Sequence, residues 1–368
     1  AEARTAMVAT LDLVGNASSV HGEGRQLRAL VEEAREKVAA LVGAKSSEVV
    51  FTAGATEANN WVLSGGWDAV FTSEIEHESV LSPASLAGCD IMTFAADTSG
   101  VAEVEAIADA VLCGEGGLGR ALISLQLANN ETGVVQPVGE VAQFGREHGI
   151  SVHTDATQAV GRMAIDFAGL GLDYLSMSGH KIGGPKGVGA LVIRDGLDLP
   201  AFGKGGGQER RRRAGTENVA AIAGFGAAAE AGLDALARVG EIARLRDRLE
   251  AGVLAVTPAA VIVGREQERL ANTSCIALPG QQSSALVIKL DLEGVAVGAG
   301  SACSSGKIGG SHVMHAMGLN PEIGEGAIRV SLGTGSTDED VDAFLAAWAK
   351  INSCLLYTSD AADESSRG

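Results

Sequence analysis

Apolar residues recur at helical spacing at Leu27, Leu30, Val31, Ala34, Val38 and Leu41, and Gly43 follows. The pattern predicts a helix that stops before that glycine. Beyond it the period changes. Short β-rich runs cover 49–52, 69–72, 91–94, 121–127, 150–153, 174–176 and 189–193, separated by helical or loop stretches. Strands spaced by helices imply βαβ crossovers, hence a mostly parallel or mixed sheet covered on both faces. One long helical region over 218–253 then leads to a second alternating unit at about 261–351. The fold class expected is α/β, with a large mixed-sheet domain over 1–236 and a smaller C-terminal α/β domain over 237–353.

Composition narrows this picture. The chain has 368 residues, ample for a large core without disulfides or a structural metal. Its 50 glycines are about twice the usual share and sit among Ala and Val, so they are read as tight strand-to-helix turns. A formal charge of −18 argues against a nucleic-acid partner or an anionic membrane surface. No run of about 18 apolar residues stands out, so no spanning helix is expected. The chain opens at Ala1 without Met. Residues 354–368 follow the last periodic helix with no periodicity of their own. From Cys354 to Glu364 they resemble a translated sequencing-library adapter, expected not to be native.

The body holds Cys89, Cys113, Cys275 and Cys303, none in a C-x-x-C pair. That usage suits a reducing cytoplasm. The first three are expected to be small buried hydrophobes. Cys303 lies in Gly298-Ala-Gly-Ser-Ala-Cys303-Ser-Ser-Gly-Lys-Ile-Gly-Gly, a setting of small residues poorly suited to burial, and is the candidate reactive thiol.

Three polar motifs follow strand runs, where ligands gather in sheets of this kind. Ser178-Gly-His-Lys181-Ile-Gly-Gly-Pro places one of only eight lysines before a Gly/Pro-rich turn. A desolvated lysine there can form a Schiff base, although a lysine in such a turn is more often a surface charge. Val152-His-Thr-Asp155-Ala-Thr-Gln158 ends a strand on a carboxylate suited to hold a ring nitrogen protonated, or simply to cap the next helix. Phe51-Thr-Ala-Gly54-Ala55-Thr56-Glu57 runs from strand through glycine into a helix start, which suits a phosphate but also an ordinary helix. Together, cradle, Asp and Lys in that order give the layout of a pyridoxal-phosphate enzyme.

From Gly15-Asn-Ala-Ser-Ser-Val-His21 to Arg329-Val-Ser-Leu-Gly333 the chain resembles the NifS/IscS-like cysteine desulfurases of the class V aminotransferase family. The resemblance implies a fold type I pyridoxal-phosphate-dependent transferase. It makes Lys181 the lysine that holds the cofactor, Asp155 the partner of its ring nitrogen and Gln158 a neighbour of its phenolic oxygen. His77, in Glu74-Ile-Glu-His77, is the imidazole that stacks on the ring and moves protons. Asn130 touches cofactor and substrate, and Ala55, Thr56, Ser178 and His180 bind phosphate. Thr216 reaches the phosphate of the other subunit in a homodimer. Arg329 clamps the carboxylate of L-cysteine, and Cys303 takes the sulfur as a persulfide, leaving L-alanine. The resemblance further implies an iron–sulfur scaffold or other sulfur-acceptor protein, and transient contact of Cys303 with a nascent cluster, with no resident metal. Alternatives are a selenocysteine lyase, an aminotransferase or a non-catalytic truncated homologue.

The chain departs from the family's pattern in four places. The strand and Thr-rich loop that the family places before Ala1 are missing, Ala17 replaces a usual Pro, and Arg211 replaces a usual Gly. If position 211 needs positive φ, Arg211 strains the loop that carries Thr216. The family's own C-terminal tail is replaced by the adapter-like segment. The run Arg210-Arg-Arg-Arg213 is read as a solvated loop or dimer contact, and His312 and His315 as a helix surface instead of a metal pair.

Overall fold

The computed structural model describes residues 1–112, 119–300 and 310–364. They fall into two units. The first comprises Ala1–Ala96, Val101–Asn129 and Val135–Ala237, and the second Asp97–Gly100, Asn130–Val134 and the chain from Arg238 onward. A contiguous split at 236/237 leaves those two short excursions in the first unit.

The first unit runs α1 (Glu2–Leu11), α2 (Gly22–Leu41), β1 (Val49–Thr52), α3 (Ala55–Leu63), β2 (Ala69–Ser73), α4 (Glu78–Leu86), β3 (Asp90–Phe94) and α5 (Val104–Leu112). It continues with β4 (Ala121–Ser124), α6 (Val138–His148), β5 (Ser151–Asp155), α7 (Phe167–Leu170), β6 (Tyr174–Ser178), β7 (Gly189–Ile193) and α8 (Val219–Ala235). The strands form one seven-stranded sheet in the order β1-β7-β6-β5-β4-β2-β3. Only β7 runs antiparallel to its neighbours. Every residue of β1, β2, β4, β6 and β7 is buried. Covered on both faces, these strands read as continuous apolar runs, not as alternation.

Three expectations need correction here. The run expected over 121–127 leaves the ladder after Ser124. Leu125 and Leu127 still donate to His153 and Asp155 carbonyls, but between them the Gln126 amide turns to the Glu76 carboxyl. The helical region expected over 218–253 is two helices, α8 and α9 (Val239–Val256), separated by a 3-10 turn at Leu236–Arg238 where the units divide. A window inside Val219–Val256 reaches a mean hydropathy of 1.4 over 18 residues, where no such run was expected. Alanines carry much of it, and α8 packs on α1 and α2. Gly226 faces Ala34 so closely that a Cβ would lie 2.7 Å from that residue's Cα.

The second unit contains α9, β8 (Val261–Ile262), β9 (Thr273–Ala277), α10 (Ser283–Leu292), β10 (Gly298–Ala299), α11 (His312–Ala316), α12 (Pro321–Glu325), β11 (Ala327–Ser331) and α13 (Asp338–Glu364). Its antiparallel sheet, in the order β10-β11-β9-β8, shares a core with α9, α10 and α13 through Leu249, Ile276, Leu290, Ile328 and Trp348. Helix α13 runs on to Glu364 instead of ending near Lys350, since no Gly or Pro interrupts it.

Candidate active site

In the first unit, the register of three strands aligns two of the motifs. Thr52 of β1 and Ser178 of β6 both lie opposite Gly189 of β7. The turn after Thr52 (Gly54) and the turn after Ser178 (Gly179–Ile182, which carries Lys181) therefore emerge at the same end of the sheet. Gly189 has to be glycine for this. A Cβ there would lie 2.6 Å from the Gly54 Cα and 2.5 Å from the Met177 carbonyl oxygen. The Ser178 hydroxyl sits 3.6 Å from where a Gly54 Cβ would be, and 2.8 Å from His180 Nδ1. Burial, then the charges of Lys181, Lys186 and Arg162, lower the pKa of His180.

Helix α3 begins at Ala55, leaving its first amide N–H groups at the mouth of an open pocket of about 460 Å³ lined by Ala53, Gly54, Thr56, Glu57, Asn60 and Phe202. Thr56 is exposed. The Glu57 charge is already engaged, by Arg213 at 2.9 Å and by the Ala53 amide at 3.0 Å, so it does not oppose an anion there.

Asp155 closes β5 and is buried; its Oδ1 accepts from the Thr157 amide at 2.9 Å and its Oδ2 from Asn59 Nδ2 at 2.7 Å. The same Asn59 nitrogen donates to Ser79 Oγ at 2.9 Å, which is 2.8 Å from His77 Nδ1. His77 caps α4, with the Ser79 amide donating to Nδ1 at 3.0 Å. The loop before it is held by Gln126 and Asn129, whose side-chain amides donate to the Ile75 carbonyl. Burial, and next the charge of Asp155, push the carboxyl of neighbouring Glu76 well up. His153, two residues before Asp155, lies between Ser124 and Ser176 and is held neutral, its pKa lowered by burial to about 4. Gln158 and Lys181 meet through Arg162, which donates to the Gln158 carbonyl at 2.6 Å and the Lys181 carbonyl at 3.0 Å.

Thr216 is exposed on the loop after the arginine run, and among the described residues no hydrogen bond joins it to this group. That loop is strained. Glu209, Arg210 and Arg211 have φ of 43°, 56° and 67°, so Arg211 does occupy a conformation that favours glycine. Glu209 pins the strained turn, bound to Arg35 at 2.6 Å inside the core and accepting the Phe51 amide.

The second unit holds Asn130 and Arg329. Arg329 donates to the Asn130 carbonyl at 2.7 Å, while Arg329 Nε and Asn130 Oδ1 are buried without a hydrogen-bond partner among the described residues. Next to them Glu131 accepts from Ser311 at 2.5 Å. Burial raises its pKa to about 7 against the opposing effects of Ser311 and Arg329. Cys303 and Cys113 lie outside the described residues. Cys275 is buried, its thiol pushed up by burial, whereas Cys89 is only half-buried, contrary to the expectation for it. His312 and His315 are exposed on α11. Asn59 and Ser79 were missed in the sequence, because their roles rest on contacts across 96 and 20 residues of chain.

Residues 5–344 match the family described as Aminotransferase class-V. A cysteine desulfurase of Sinorhizobium fredii (strain NBRC 101917 / NGR234) is 40% identical over 346 residues, 91% of this chain and 88% of the relative. The cysteine desulfurase NifS of Azotobacter vinelandii is 39% identical, over 89% of this chain and 85% of its own. The solved NifS-like protein from Rickettsia africae ESF-5 superposes with a TM-score of 0.87 at 33% identity, covering 95% of both chains.

Proposed function

The chain belongs to the class-V aminotransferase family, among the cysteine desulfurases, and from that premise we propose that it removes sulfur from L-cysteine, releasing L-alanine and leaving the sulfur on Cys303. The observation that carries this is the joining of Asp155 and His77 in one hydrogen-bonded group through Asn59 of α3 and Ser79, on the strand next to the one whose turn bears Lys181.

The residues present fit pyridoxal phosphate. The α3 N–H groups at Ala55 and Thr56 can donate to a phosphate beside a pocket whose carboxylate, Glu57, is already paired, and Ser178, near the Gly54 turn, and His180, bonded to it, can add donors. Thr157 Oγ1, beside Asp155, is a buried hydroxyl without a hydrogen-bond partner among the described residues. Bound there, the cofactor would supply an electron sink for the substrate's Cα. Asp155 would hold a protonated ring nitrogen at its carboxylate, and Gln158 the phenolic oxygen. Lys181 would hold the cofactor through Nζ and, once released, take the Cα proton at that nitrogen. His77 would stack on the ring and move a proton at Nε2. Arg329 would bind the substrate carboxylate with its guanidinium, next to Asn130. The Cys303 thiolate would receive the sulfur. A reducing compartment, the cytoplasm, suits an enzyme that works through a free thiol and hands sulfur to an acceptor protein. Exposed Thr216 is assigned to the phosphate of a second copy in a homodimer.

The test is direct. Cofactor addition should give a visible absorbance band, and cysteine with a thiol reductant should yield sulfide and alanine in equal amounts. Cys303→Ala should keep the band and lose the sulfide. Full activity in that variant overturns the assignment of the nucleophile, and borohydride labelling at a lysine other than Lys181 overturns the site.

A further inference from the structure

Asn59 and Ser79 lie between the acid and the imidazole of the site, and their donors can be followed one by one. Both hydrogens of the Asn59 amide are committed, one to Asp155 Oδ2 at 2.7 Å and one to Ser79 Oγ at 2.9 Å. Having accepted that hydrogen, the Ser79 hydroxyl has its own proton to give, and His77 Nδ1 lies 2.8 Å away. The Ser79 backbone N–H points at the same nitrogen from 3.0 Å. Two donors converging on Nδ1 require a lone pair there, so the neutral ring carries its proton on Nε2. The direction of the whole series is set at its far end, where both Asp155 oxygens accept from N–H donors, Oδ1 from the Thr157 amide and Oδ2 from Asn59. Asn59 Oδ1 is buried with no hydrogen-bond partner among the described residues, as befits an amide oriented by its donors.

We propose that Asn59 and Ser79 are positioning residues that tie the Asp155 carboxylate to His77 and hold His77 as the Nε2–H tautomer. Asn59 and Asp155 are fully or nearly buried and Ser79 nearly so, so water competes little for these bonds. Ring orientation follows as well as tautomer, since Nδ1 is fixed toward the α4 start. That His77 acts on such a substrate rests on the function proposed above; the bonding itself does not.

The experiment is a two-bond nitrogen–proton correlation spectrum of the full chain labelled with nitrogen-15, recorded with and without pyridoxal phosphate. Among the seven histidines, the His77 signal is identified by its loss in His77→Gln. Wild type should show an unprotonated Nδ1 and a protonated Nε2. Asn59→Leu and Ser79→Ala should each mix the tautomers and lower kcat by several-fold up to about tenfold with KM little changed, the scale of one hydrogen bond. Ser79→Thr, which keeps a hydroxyl, should restore both readings. A protonated Nδ1 in wild type overturns the proposal, as does an unchanged Nε2–H signal in both variants. The wild-type spectrum decides the tautomer even if a variant fails to fold. If the tautomer moves as expected while no form of the protein releases sulfur from cysteine, the positioning role stands and the desulfurase reading falls.

Discussion

Replacing Gly189 by alanine is the sharpest test of how the sheet sets the site. The added Cβ would stand 2.6 Å from the Gly54 Cα and 2.5 Å from the Met177 carbonyl oxygen. Carbon atoms in contact need about 3.5 Å, so β7 and the Gly54 turn must part by about 0.9 Å. Neither obstacle is the end of a flexible side chain. Overpacking of this kind costs about 1–3 kcal/mol, and the part that falls on the Gly54 turn displaces the α3 amides expected to bind phosphate. Gly189→Ala should therefore weaken cofactor binding about tenfold or more, read by titrating pyridoxal phosphate into cofactor-free protein and following absorbance, and should lower the thermal midpoint. Gly240→Ala on α9, where none of the described residues lies within 4 Å of the new Cβ, is the control and should cause no loss. Wild-type affinity together with a wild-type melting curve for Gly189→Ala would refute the reasoning.

Three further outcomes follow from strain and burial. Arg211→Gly should stabilise the chain by about 1 kcal/mol in urea unfolding, because it relieves a left-handed conformation that costs L residues about that much; no gain would mean that φ of 67° is not felt as strain. Glu131 titrates near 7 when folded and near its ordinary 4.5 when unfolded. Its contribution is therefore full below about 4.5 and lost as pH rises through 7, a swing of about 3 kcal/mol. Glu131→Gln should flatten that dependence in pH-resolved thermal melts. His153 works the other way. Its pKa is about 4 folded against an ordinary 6.5, so its contribution is present above 6.5 and lost as pH falls through 4. His153→Gln should make acid unfolding shallower in circular dichroism, and an unchanged acid limb would show that His153 does not govern it.

Much of the fold is legible in the sequence. Buried strands with helices between them announce themselves by composition, and 49–52 and 189–193 coincide with β1 and β7 to the residue. The exceptions have local causes. Gln126 leaves the ladder because the Glu76 carboxyl competes for its amide, and α8 parts from α9 because they serve different cores. Cradle, acid and lysine could be recognised as short motifs at strand ends. Asn59 and Ser79 could not, since an Asn inside a helix and a Ser after a capping His look like ordinary helix residues until β5 brings Asp155 beside them.

The chain passes from one unit to the other at 96/97, 100/101, 129/130, 134/135 and 237/238. Asn130–Val134 is bonded to partners more than a hundred residues later, through the Val134–Arg269 bridge and the Leu270 amide on the Gly133 carbonyl. During synthesis this piece emerges from the ribosome long before those partners exist and must wait for them. A genetic cut at 238 would sever the later segment from residues it needs, so a domain swap between relatives would have to carry the inserted pieces along, or leave both products incomplete.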